Sequence, residues 1–76
     1  MELDAYPSHA EIVTPDDSKE LRLTGLYIGG DGDLSVILAS DSTAVTFTGI
    51  PAGTMFPFRV YKVMAATTAT GIVGVS

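Results

Sequence analysis

Apolar and polar positions alternate with a period of two along most of this chain, most clearly from Thr43 to Val63. There Val45 and Phe47 fall on one side, with Ala44, Thr46 and Thr48 on the other. Beyond Pro51-Ala52-Gly53, Phe56, Phe58 and Val60 share one face, and Arg59 and Tyr61 share the opposite one. A period of two in β-branched and aromatic residues marks a half-buried strand. The Pro-x-Gly link supplies a fixed φ and then a residue tolerant of positive φ. The spacing therefore predicts a ribbon of two strands and a turn, against which the other segments pack. Pro57 interrupts the second arm and has no N–H to give a ladder, so its strand lies at an edge or is bulged.

Shorter stretches repeat the pattern. His9–Val13 is a strand with Ile12 or Val13 facing inward, and Leu23–Ile28 is another, with Leu26 and Ile28 opposite Tyr27. Leu34–Leu38 and Gly71–Val75 complete the set. Three glycines within Gly29-Gly30-Asp31-Gly32-Asp33 predict a hairpin loop. Ala39–Ser42 is a turn, and Ala65–Thr70 is a loop of small residues. Thr14-Pro15-Asp16-Asp17-Ser18 has the chemistry of a helix start, but Thr24-Gly25 follows too soon and no helical stripe exists. A single capped turn fits that length. Residues 1–8 lack a period and read as an N-terminal arm ahead of one domain, residues 9–76. The expected fold is all-β: a small antiparallel sandwich or barrel, jelly-roll-like, of about six short strands.

Composition adds a need for support. A domain of 76 residues buries only roughly 60% of the surface its unfolded chain exposes. Disulfides and thiolate zinc sites are excluded by the absence of cysteine, and a single histidine, His9, cannot build a histidine-rich metal site. Self-association is the support left open. Mean hydropathy of +0.36 in a chain with few charges after Asp41 likewise implies apolar surface covered by another subunit.

The net charge of −5 is unevenly spread. All nine carboxylates lie between Glu2 and Asp41, where Lys19 and Arg22 are the only cations; Arg59 and Lys62 are the only charges beyond. No basic cluster exists to hold nucleic acid. No apolar run approaches the 18 or so residues of a membrane helix, and Met1-Glu2-Leu3-Asp4 lacks the layout of a secretory signal. A soluble protein made in a cytoplasm is the expectation.

Candidate chemistry is sparse. Asp31 and Asp33 have the first spacing of a calcium-binding EF-hand loop, but Val36 stands where its glycine belongs and Ser42 where its glutamate belongs. A calcium β-roll fails for want of repeats. His9 beside Ser8 and Ser18 lacks a positioned partner for general-base work, and no phosphate loop or nucleophile elbow is present. Neither a catalytic residue nor a cofactor is expected. Arg59, Tyr61 and Lys62 have a composition favoured at protein interfaces, against the plainer alternative of a polar outer sheet face. Leu3 and Tyr6 would anchor the arm on a neighbour. Tyr27 with Asp31 or Asp33 is the one aromatic–acid pairing suited to a glycan.

The ordered series of motifs resembles a known family. Thr14-Pro15-Asp16-Asp17-Ser18, Gly25-Leu26-Tyr27-Ile28-Gly29-Gly30-Asp31-Gly32-Asp33-Leu34, Val45-Thr46-Phe47, Ile50-Pro51-Ala52-Gly53-Thr54, Pro57-Phe58-Arg59-Val60 and Thr67-Thr68-Ala69-Thr70-Gly71-Ile72-Val73 look like the small head-spike base proteins of tailed bacteriophages and gene transfer agents. Phe58 and the ending Gly74-Val75-Ser76 depart from that pattern. The resemblance implies a non-enzymatic virion protein on the capsid surface, made in the host cytoplasm. As a head spike base or decoration protein it would contact copies of itself in a ring or trimer, the major capsid protein, and a spike or fibre. Its contacts would run through Arg59, Tyr61, Lys62, Leu3, Tyr6 and the Gly29–Asp33 loop. A glycan-binding β module of a receptor-binding fibre is the alternative.

Overall fold

The computed structural model describes residues 7–76. Among them are seven strands and no helix: β1 (Ala10–Ile12), β2 (Gly25–Gly30), β3 (Gly32–Leu38), β4 (Val45–Ile50), β5 (Thr54–Phe56), β6 (Val60–Val63) and β7 (Thr70–Val75). They form two antiparallel sheets, one of four strands in the order β1-β7-β2-β5 and one of three in the order β4-β3-β6. The fold is the small all-β type that the alternation predicts.

Two of the expected hairpins are absent, and the reason is the same for both. The chain uses its Gly- and Pro-rich links to change sheets. Pro51–Gly53 carries it from β4, which pairs with β3, to β5, which pairs with β2. The arms of the predicted ribbon therefore never meet as a ladder. Likewise, only Asp31 separates β2 from β3, which lie in different sheets. A two-stranded turn needs at least two residues, whereas a bend between packed sheets needs fewer. Pro57 acts in the same way, dividing the second arm into β5 at a sheet edge and β6 in the other sheet. The hairpin that does form joins β3 to β4 across the turn after Leu38.

The core lies between the sheets. Leu26, Ile28, Phe56 and Ile72 face it from one side, and Leu34, Val36, Val60 and Val63 from the other. Phe47, Phe56 and Phe58 meet edge-on and stacked, with ring centroids 4.9–6.2 Å apart, so the three phenylalanines tie the sheet junction at Pro57. Of the two inward candidates in the first strand region, Val13 is buried and Ile12 is 84% exposed. The acidic segment after Thr14 makes a turn in which Asp16 accepts from both the N–H and the hydroxyl of Ser18 at 2.9 and 2.8 Å. Asp16 is the capping residue of this turn.

Two bulges break the alternation. Between Gly32↔Ile50 and Leu34↔Phe47, Thr48 and Gly49 oppose Asp33 alone. Gly49 takes φ +72, and its N–H donates to the Asp33 carboxylate at 3.0 Å. Between Ile37↔Lys62 and Leu38↔Val60, Tyr61 is the extra residue of β6. That bulge buries both Val60 and Val63 while leaving Tyr61 and Lys62 half-buried. It explains why a lysine can stand at a position that strict alternation assigns to the core.

Candidate assembly surfaces

The outer face of the four-stranded sheet is set by register. Paired residues of antiparallel strands point the same way. Ile12 pairs with Val73, Val73 with Tyr27 and Tyr27 with Met55, so these four form one row across the sheet. Ile12, Tyr27 and Met55 are 84%, 44% and 51% exposed, and Val73 is half-buried. The next row, Ala10, Val75 and Gly25, is equally free of charge. None of the nine carboxylates belongs to either row.

A second surface is a groove of about 410 Å³ beside the β6 bulge. Its apolar residues are buried Leu21, Leu23 and Val60 and exposed Ala39, and Arg22, Arg59 and Tyr61 line it with them. It thus gathers both arginines of the chain. The segment beneath it runs beside β6: Leu21 and Leu23 donate their N–H groups to the carbonyls of Tyr61 and Val60 at 2.7 and 3.3 Å. Burial holds the Tyr61 phenol above its ordinary pKa, and the nearby Glu20 carboxylate adds to this, with Arg22 opposing. The Lys62 ammonium sits 5.5 Å from the centre of the Tyr61 ring, a cation–π distance.

The sequence-selected residues are distributed between structure and surface. Arg59 and Tyr61 converge on the groove, and Lys62 joins them through the Tyr61 ring. Leu3 and Tyr6 lie outside the described residues. The Gly29–Asp33 segment is not a hairpin tip. Gly29 and Gly30 end β2, Asp31 is the exposed crossing residue, and Gly32 and Asp33 begin β3. Asp33 is occupied by the backbone: besides holding Gly49, its N–H donates to Thr68 Oγ1, and its carbonyl accepts from Thr68 and Ala69. His9 exchanges backbone hydrogen bonds with Ser76 at 2.8 Å, and Ser18 is bound to Asp16. Among the described residues no cluster of three or more metal-ligating side chains occurs, and no helix is long and apolar enough to cross a membrane.

The row Ile12–Val73–Tyr27–Met55 escapes sequence inspection because its members come from four strands scattered along the chain. The signals that could have found it are an isoleucine beside the inward Val13 and a methionine between Thr54 and Phe56, both outward by parity.

Comparison with known proteins finds a likeness to a solved structure. A chain from a solved structure described as the capsid of a native GTA particle, computed with C5 symmetry, superposes with a TM-score of 0.80 at 33% sequence identity. The match covers 92% of this chain and 83% of that one. No family model matches the sequence, and no curated protein matches it.

Proposed function

We propose, from the premise that this chain belongs to the same family as a capsid chain of a gene transfer agent particle, that it is a head spike base. It is a non-enzymatic structural protein on the capsid surface, where copies of the chain associate, contact the major capsid protein and support a spike or fibre. The observation that carries this reading is the likeness to a capsid chain along nearly its whole length.

Copies meet through the outer face of the four-stranded sheet. Molecules of net charge −5 repel one another, so contact between them favours a face without carboxylates. The two uncharged rows provide one. Two strands of six residues and two of three, about 4.8 Å apart, offer a footprint of roughly 300 Å², well under half the roughly 800 Å² per partner of a stable pair. Such a contact is weak between two free molecules and becomes effective when a ring on a capsid repeats it.

Mass spectrometry of purified particles tests the assignment. The protein is expected in many copies per particle, with the spike or fibre lost from particles made without it. Its absence from particles would overturn the proposal. For the glycan-binding alternative, Asp33 is committed to Gly49, which leaves exposed Asp31 as the acid to pair with Tyr27.

A further inference from the structure

We infer that the outer edge of β4 pairs with itself, joining two copies of this chain antiparallel about a two-fold axis at Thr46. This pairing rests on β4 and its neighbours and does not depend on the virion reading.

Hydrogen bonding leaves the edge open. Ser35 turns its main-chain groups away from β4: its N–H donates to Thr67 Oγ1 at 3.0 Å, and its carbonyl accepts from the Met64 N–H at 2.8 Å. Thr46, its register partner, therefore stands in a non-hydrogen-bonded pair, with its own N–H and carbonyl pointing outward. Among the described residues no loop backbone bonds to Thr46. Side chains show the same gap. Val45 and Phe47 pair with buried Val36 and Leu34 and face inward with them, yet Val45 is 49% exposed and Phe47 only half-buried. Phe58, stacked on Phe47 with centroids 6.2 Å apart, is 46% exposed. The sheet of three strands thus ends where a fourth would cover these side chains.

Other edges are guarded. β1 carries Glu11, β5 is three residues between Gly53 and Pro57, and β6 is flanked by Leu21 and Leu23. Charge, proline and shortness are deterrents to edge pairing. From Ser42 to Phe58 the chain has no charged residue, and the bulge at Thr48 and Gly49 lies beyond Val45–Phe47.

That chemistry selects a second copy. Molecules of net charge −5 repel one another, so they meet most easily along a strand without charge. About the axis, Thr46 exchanges N–H···O bonds with its counterpart, and Val45 lies opposite Phe47 of the other copy. The two inward rows join, and each β4 covers the open apolar side of the other. Both edges are consumed, so the pairing closes at two copies and does not run on as a fibre.

The absence of cysteine makes the register testable by cross-linking in the full chain. Thr46 and its counterpart would have Cα atoms about 5.5 Å apart, within disulfide range, whereas the two Thr48 residues would be roughly 14 Å apart. Thr46→Cys should link copies under mild oxidation, and Thr48→Cys should not. In sedimentation equilibrium the mass should rise from 7.9 kDa toward twice that value as concentration approaches about 1 mM. Thr46→Pro removes an N–H that the β3–β4 ladder does not use, so it should keep the circular dichroism and abolish that rise. A monomer at every concentration, or Thr48→Cys linking as fast as Thr46→Cys, would overturn the inference. A dimer lost in Tyr27→Glu but kept in folded Thr46→Pro would overturn it too, by moving the contact to the outer face of the four-stranded sheet.

Discussion

Thr67 stands opposite Ser35 as a strand residue would: its Oγ1 accepts the Ser35 N–H at 3.0 Å and donates to the Ser35 carbonyl at 3.1 Å. Its neighbour Thr68 does half of this for Asp33, accepting that residue's N–H at 2.8 Å. Side chains of the loop before β7 thus complete the β3 ladder where β6 has ended. Removing the Thr67 hydroxyl leaves the buried Ser35 without its N–H partner, though Met64 still donates to the Ser35 carbonyl at 2.8 Å. Thr67→Val is expected to cost about 1–2 kcal/mol, and Thr67→Ser much less. Urea unfolding of the two variants checks this.

Gly32 and Gly49 separate crowding from backbone preference. At Gly32, with φ +150, a Cβ would lie 2.6 Å from the Ala69 nitrogen and 2.8 Å from its Cα, and the surrounding backbone has no flexible side chain to yield. Gly49 has φ +72 but nothing within 4 Å of its Cβ position. Gly49→Ala is therefore expected to cost about 1–2 kcal/mol from conformation alone. Gly32→Ala carries overpacking as well, which adds about 1–3 kcal/mol. In thermal melts the second variant should lose at least about 4–8 °C more than the first, the shift that ~1 kcal/mol gives a domain of this size.

Titration of Tyr61 links the groove to alkaline stability. Because its phenol pKa is raised in the folded protein, by burial first and Glu20 second, folding favours the protonated form. That contribution is complete below the ordinary value of 10.0 and is lost as pH rises through the higher folded value. Tyrosinate absorbance, taken as the difference from Tyr61→Phe, should show the Tyr61 phenol ionising above its ordinary value. Glu20→Gln should bring it down part of the way, since burial remains. An unchanged titration in Glu20→Gln would remove Glu20 from the account.

Strand positions were legible in the sequence because half-burial writes a period of two into it. Leu26 and Ile28 inward with Tyr27 outward, and Arg59 with Tyr61 on a common surface, follow from that period. Pairing was not legible. Pro51–Gly53 and the glycines around Asp31 have turn chemistry whether the chain doubles back or crosses to a second sheet. The difference lies in contacts made by residues far away, such as β7 lying between β1 and β2. The Tyr61 bulge is similarly set by tertiary packing, as Leu21 and Leu23 bond alongside β6. The uncharged row depends on four strands at once, so no local pattern announces it. Thr67 and Thr68 could be recognised as a motif, but their role as stand-ins for a strand needed coordinates.

The copy number of Tyr27→Glu protein in purified particles tests the central claim most directly. Tyr27 is exposed and lies in the uncharged row, so the substitution leaves the core intact and places a charge on the face proposed to join copies. With circular dichroism and melting temperature unchanged, the account predicts at least about a tenfold fall in incorporation, equivalent to ~1.4 kcal/mol per contact. Incorporation at the wild-type copy number would contradict it.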